Sequence, residues 1–274
     1  MMNLQELHER ILYPVVRVRT SKAGGSGTVI YSQPDPDNEG DFQTFVLTNH
    51  HVVDDAIMVT DEWDSVLKKK RKVDVLEQVH VELFDYVRLS HRNSANMYEA
   101  EIVAYDQNED LAVLRLESPK PVEYIAQFIS REDAREVKLF TPVWACGCSL
   151  GHDPFATDGH ITYLKEDIAN RLFWMDSADV VFGNSGGALY HGITGEQIGV
   201  TARVTTMQLG FSVDVNTWMN FCIPASRIYA FFDEQELRFL YDDSDTYAAA
   251  MERRKERMEK ALYGGPDGKR DGGE

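Results

Sequence analysis

The sequence is poor in cysteine, with three in 274 residues. Cys146 and Cys148 stand too close together for an easy bridge and Cys222 is alone, so a disulfide-stapled secreted domain is not expected. Positive charge is scarce as well. Lys plus Arg number 28 against 45 Asp plus Glu, which leaves −17. A surface of that sign does not suit nucleic-acid phosphates or an anionic bilayer, so neither nucleic acid nor membrane is expected as a partner. Long apolar runs are missing too, and none approaches the roughly 18–20 residues that a bilayer span needs. The stretch from Met1 to Pro14 sets Glu6, Glu9 and Arg10 among its apolar positions and lacks the apolar core and small-residue cleavage site of a signal peptide. Together these absences predict a reducing, cytoplasmic location. No repeat of fixed period is present.

What the chain does have is core material: 43% apolar and 11% aromatic residues. That argues against a disordered chain, and the length fits one large β domain or two small lobes. Asn3 to Ile11 reads as a short helix ended by Pro14. Short alternating stretches then recur. Val15–Arg19, Thr28–Tyr31 and Phe42–Leu47 read as strands, with Gly24, Gly25 and Gly27 as a turn and 33–41 as a loop. Residues 61–78 break the rhythm with the run Lys68-Lys69-Lys70-Arg71-Lys72 and read as a surface insertion, with a helix as one option. Strands resume at Val79–Arg88, Tyr98–Ala104 and Leu111–Leu116, and 119–136 reads as the connection between two halves. The second half offers Val137–Cys148, Ile161–Lys165, Leu172–Met175, Ala188–Tyr190, Gln197–Val204 and Phe221–Pro224. This rhythm predicts an all-β barrel or sandwich. After Ala225 the pattern turns helical, over 226–241 and 244–263, with Met251 and Met258 on an apolar stripe. Residues 264–274 read as a disordered tail.

The sharpest local signal is Gly183-Asn184-Ser185-Gly186-Gly187. Glycines on both sides of a serine let a substrate backbone approach and allow a turn whose N–H groups converge on one point, as an oxyanion hole requires. A plain β-turn would use the same residues. A serine nucleophile needs a base, and His51, after a strand and before Val52-Val53, is a candidate. A buried carboxylate must orient that base, and Asp110 stands at the mouth of the apolar strand Leu111–Leu116.

Three segments together resemble the trypsin-like serine peptidases of the chymotrypsin fold, and their HtrA-type branch in particular. They are Gly25-Ser26-Gly27-Thr28-Val29-Ile30 with Thr48-Asn49-His50-His51-Val52-Val53, then Asp110 leading into Leu111-Ala112-Val113-Leu114, then Gly183-Asn184-Ser185-Gly186-Gly187. The likeness runs from about Val15 to Ala225, and its three motifs stand in the order His, Asp, Ser. It implies a double β-barrel over 15–225; outside the likeness, 1–14 reads as an N-terminal helix and 226–263 as a C-terminal helical extension. It implies a serine endopeptidase acting on protein or peptide substrates, with His51, Asp110 and Ser185 as the triad and the backbone of Gly183 and Ser185 as the oxyanion hole. Asp179, six residues before the nucleophile, falls at the base of the family's primary pocket, and Thr201, Ala202 and Arg203 fall on its wall. The resemblance to the HtrA-type branch implies a small aliphatic side chain before the scissile bond; a carboxylate at 179 would favour a basic one instead, unless Arg203 fills the pocket or neutralises it. No cofactor and no metal are implied; Cys146-Gly147-Cys148 lacks further ligands at zinc spacing. The branch usually adds a leader and a PDZ domain, whereas the residues after Ala225 read as helices suited to packing or to a homo-oligomer contact. The alternative of another class is a catalytically silent module of the same fold.

Overall fold

A computed structural model describes residues 2–35, 39–65, 68–209 and 212–263. It falls into two compact units, 1–228 and 229–274. The disordered tail expected over 264–274 lies outside the described residues.

The first unit opens on α1 (Leu4–Leu7), capped by the Asn3 side chain, and continues as a π-helical turn over His8–Leu12. Strands β1 (Val15–Arg19), β2 (Gly24–Pro34) and β3 (Phe42–Thr48) follow, then the short α2 (His50–Val53). Next come β4 (Ile57–Asp64), β5 (Lys69–Leu76), β6 (Val79–Arg88), β7 (His91–Asp106) and β8 (Leu111–Ser118). Six of these close an antiparallel barrel in the order β1-β2-β3-β8-β7-β6. The second half supplies β9 (Pro142–Gly147), β10 (Phe155–Asp167), β11 (Leu172–Asp176), β12 (Ala188–His191), β13 (Gln197–Leu209) and β14 (Ser212–Pro224). These close a second barrel in the order β10-β11-β14-β13-β12-β9. The architecture is the expected double barrel with a C-terminal helix.

β-branched and leucine side chains alternating inward fill the first barrel, with Val16, Val18, Val29, Val46, Leu114 and Leu116 all buried. A second cluster lies on the seam between the barrels. There Ile11 and Val15 meet Phe84 of the first barrel and Cys146, Ala188 and Tyr190 of the second.

Two expectations fail, each for a physical reason. Gly24, Gly25 and Gly27 lie inside β2, not in a turn. Two of them are small because their surroundings are tight: a Cβ on Gly27 would press on Val46, Val18 and Val16, and one on Gly25 on Val52. The insertion is not helical. Its β4 and β5 pair antiparallel, setting Asp61 opposite Lys72, Glu62 opposite Arg71 and Asp64 opposite Lys69. Opposite charges on facing strand positions favour the ribbon, and nearly all its side chains are exposed.

The helix α3 (Ala225–Glu234), whose residues from Tyr229 on belong to the second unit, ends just before Glu236, which takes φ +58, and α4 spans Tyr247–Tyr263. Both helices are shorter than the sequence suggests. Phe232 stacks on Tyr241, Phe239 meets Tyr247 edge-on, and Arg253 pairs with Asp245 and Glu236. Met258 is 63% exposed and so takes no part in an internal apolar stripe. Among the described residues no helix is long and apolar enough to cross a membrane.

Candidate active site

His51 sits on α2, directly after β3. Asp110 occupies the turn that feeds β8, with φ +56, a left-handed conformation that aspartate tolerates better than most residues. Its carboxylate accepts the His51 backbone N–H at 3.0 Å and lies 2.9 and 3.0 Å from the imidazole Nδ1. A carboxylate can only accept, so Nδ1 carries the hydrogen and Nε2 is left for other work. Asp110 is 9% exposed, and its own carbonyl accepts from the Asn49 side chain at 2.8 Å. Its neighbour Glu109 is held by Arg227 at 2.7 Å and Arg171 at 3.2 Å, which pins the turn from the other barrel.

Beside His51, His50 is buried and stacks near Tyr105, with ring centroids 5.4 Å apart. Burial lowers its pKa, outweighing the opposite pull of Asp110. The Tyr105 hydroxyl donates to Asp74 of β5 at 2.5 Å, tying the ribbon to the segment that bears both histidines.

Ser185 lies in the loop between β11 and β12. The loop is shaped by glycines that cannot be replaced without strain. Gly183 has φ +97, and a Cβ there would strike the Leu150 backbone nitrogen at 2.7 Å. Gly186 has φ +85, and a Cβ there would come within 3.0 Å of Ser26 O and Thr48 Oγ1. Backbone bonds then lock the loop: Gly186 N donates to Thr201 O at 2.9 Å and Gly187 N to Asn184 O at 2.8 Å. The Phe182 carbonyl accepts from Leu150 N–H at 2.8 Å. In a trans peptide N–H and C=O point opposite ways, so the Gly183 N–H faces away from Leu150.

The first barrel reaches across to this loop through Ser26. Its hydroxyl donates to Gly183 O and accepts from Cys148 N, each at 2.7 Å, and its N–H donates to Ser185 O at 2.8 Å. Gly25 sits where the two halves meet, since a Cβ there would fall 2.7 Å from a Val52 methyl and 2.9 Å from Ser185 O. His51's neighbour and the serine's own carbonyl are thus brought to one point. Ser26 is a part of the site that residue-type reasoning missed, although its motif was visible. Asn184 is also buried, and its side-chain oxygen accepts from the Ser149 hydroxyl. The Ser185 hydroxyl itself rests 3.4 Å from the Ala202 carbonyl.

The four pocket candidates separate. Thr201 and Ala202 are buried on β13 against the serine loop. Asp179 is exposed, and its carbonyl accepts from the Thr157 hydroxyl at 2.7 Å. Arg203 lays its guanidinium over the Phe173 ring at 5.4 Å. Two residues before Ala178, Asp176 is a buried carboxylate that the sequence did not announce. It accepts from Ala178 N–H at 3.1 Å, and burial raises its pKa to about 7.

The model of the trypsin-like peptidase domain matches residues 25–200. The chain belongs to the trypsin-like peptidase family. Protease Do-like 1, chloroplastic, of Arabidopsis thaliana is 30% identical to it over 133 residues, which is 44% of this chain and 29% of that protein. The periplasmic serine endoprotease DegP of Salmonella typhimurium is 27% identical over 188 residues, 67% of this chain and 31% of its own. The periplasmic pH-dependent serine endoprotease DegQ of Escherichia coli is 24% identical over 201 residues, 70% and 35% respectively. The chain therefore spans about a third of the length of these relatives. A solved HtrA-type protease with tripeptide aligns over 86% of this chain and 64% of its own, with a TM-score of 0.59 at 18% identity, a likeness of fold.

These relatives overturn the cytoplasmic expectation, because they are named for the periplasm and the chloroplast. The physical fault lay in the cysteines. All three are free and buried, and burial raises every one of their pKa values. Inert core thiols need no reducing surroundings, so they carry no message about compartment.

Proposed function

We propose that the chain is a serine endopeptidase that cleaves protein or peptide substrates through Ser185, His51 and Asp110. The observation that carries this reading is the His51–Asp110 pair, bonded through both backbone and ring; the glycine-flanked Ser185 of the second barrel is proposed as its partner. His51 Nε2 takes the Ser185 proton as Oγ attacks the peptide carbonyl. The hydroxyl, which rests toward Ala202, first turns to His51. Apo geometries of this kind are often loose and tighten on substrate. Asp110 holds the tautomer and stabilises the imidazolium. The N–H groups of Gly183 and Ser185 receive the oxyanion, His51 returns the proton to the leaving amine, and water releases the acyl group.

Asp179, Thr201, Ala202 and Arg203 are proposed to border the primary pocket. The names of the relatives support work outside the cytoplasm. The test is hydrolysis of an unfolded protein by the purified chain and by Ser185→Ala, together with fluorophosphonate labelling. Cleavage and labelling that vanish in the variant support the reading. Labelling absent from a folded, unaltered chain points instead to a silent module, and cleavage that survives in Ser185→Ala refutes the triad.

A further inference from the structure

The seam between the barrels holds a cavity of about 350 Å³ on the N-terminal segment. Leu7, Ile11, Tyr86, Trp144 and Ala156 give it an apolar wall drawn from both barrels and from the helix. A volume of this order lies at the small end of ligand pockets, which favour such seams. Nothing in the described chain covers its mouth, where Leu4 is 61% and Phe155 38% exposed.

A second observation points the same way. The wall over His8–Leu12 is wound as a π-helix, a wide form that is rare and concentrates at functional sites. His8 is turned inward by it and held at both ring nitrogens, with Nδ1 donating to Leu4 O and Nε2 meeting the Ser90 hydroxyl, each at 2.7 Å.

The polar rim tells what kind of occupant fits. Arg92 and Asp153 pair across it at 2.6 Å, so the rim offers a donor and an acceptor with no net charge. An anionic ligand would face Asp153 on a chain of charge −17. A peptide unit can give its carbonyl to Arg92 and its N–H to Asp153, while an apolar side chain beside it enters the cavity.

The cavity lies close to the serine along the chain. Asp153 is three residues from Leu150, Leu150 N–H bonds Phe182 O, and Phe182 is three residues from Ser185. At 3.8 Å between neighbouring Cα atoms, this path sets an upper limit of about 28 Å. An extended strand covers that in about eight residues.

We propose that this cavity is a second docking site for substrate, taking a leucine- or phenylalanine-sized side chain of an extended polypeptide within about eight residues of the bond held at Ser185. The proposal rests on the peptidase reading.

The test uses Ala156→Phe, which fills the cavity, and Leu4→Ser, a change at the exposed mouth that leaves the barrels alone. Two substrates share one cleavage sequence, and only the longer carries a leucine seven residues from the scissile bond. Both variants should raise KM for the longer substrate about tenfold, the worth of one apolar side chain. They should leave kcat, and both constants for the short substrate, unchanged. Equal effects on both substrates, or none on either, would overturn the proposal. If neither substrate is cleaved, the peptidase reading falls, and fluorescence anisotropy of the labelled longer peptide decides this one separately. Binding lost in both variants upholds the docking site, and binding unchanged in them refutes it.

Discussion

The two barrels contribute to the candidate site by different physical means. The first presents His51 and Asp110 as side chains at strand ends, joined by hydrogen bonds between groups that could be exchanged for others of the same shape. The second presents Ser185 on a loop with no strand of its own, held by backbone bonds and by glycines packed against Leu150, Ser26 and Thr48. One half is a matter of side-chain chemistry on a rigid frame. The other is a matter of backbone space. The same size of substitution should therefore damage activity alone in the first half, and activity together with folding in the second.

The largest effect is expected at Gly186. Gly186→Ala forces a Cβ onto a φ of +85 and against the Ser26 carbonyl. The left-handed conformation and the clash together should cost about 3 kcal/mol. For a unit of this size that lowers Tm by about 6–12 °C. Activity toward any peptide should vanish. Calorimetry and hydrolysis on one preparation check both, and an alanine accepted without loss of Tm would erase the contrast between the halves.

Next in size is Asp110→Asn. Asparagine is at home at φ +56, so the turn should stand and Tm should move by less than about 2 °C. Asparagine's Oδ1 can still accept from the His51 N–H, but its NH₂ stands where Oδ2 meets Nδ1 and can only donate, so Nδ1 is pushed to act as an acceptor. The ring should take the other tautomer, with its hydrogen on the wrong nitrogen. A fall in kcat of about 10⁴-fold is expected. A large loss of Tm would mean that Asp110 is a structural residue first.

Much of this was legible in the sequence, and the parts that were not share a cause. The order His, Asp, Ser and the glycines around Ser185 mark chemistry by residue type, and in the structure His51 Nδ1 lies 2.9 Å from the Asp110 carboxylate. Gly24, Gly25 and Gly27 were misread as a turn because local rules ascribe glycine to bends. At Gly25 and Gly27 tertiary crowding by Val52, Ser185 and Val46 selects it. The 61–78 segment was misread because its charges lack helical or strand rhythm when read along one strand. They make sense only across the β4–β5 pair. Ser26 and Asp176 act through partners more than a hundred and about forty residues away, contacts that no window along the chain contains.

Asp176 offers the most conditional test of the contrast, since its effect depends on pH. It is a side-chain device placed in the backbone-dominated half, since it holds Ala178 N–H while Asn220 donates to Ala178 O at 2.5 Å. Burial raises its folded pKa from 3.8 to about 7. Between those values the folded chain keeps a proton that the unfolded chain has lost, so folding binds more protons and stability falls as pH rises. The contribution is whole below about pH 4, is lost progressively up to about pH 7, and amounts to about 4 kcal/mol at most. Asp176→Asn keeps the acceptor for Ala178 and removes the titration. Its Tm should match that of the unaltered chain at pH 4 and exceed it by several degrees at pH 8. Calorimetry at both pH values decides the matter. A gap that does not change with pH would mean that Asp176 is ionised in the folded chain, and that side-chain charge supports the second barrel after all.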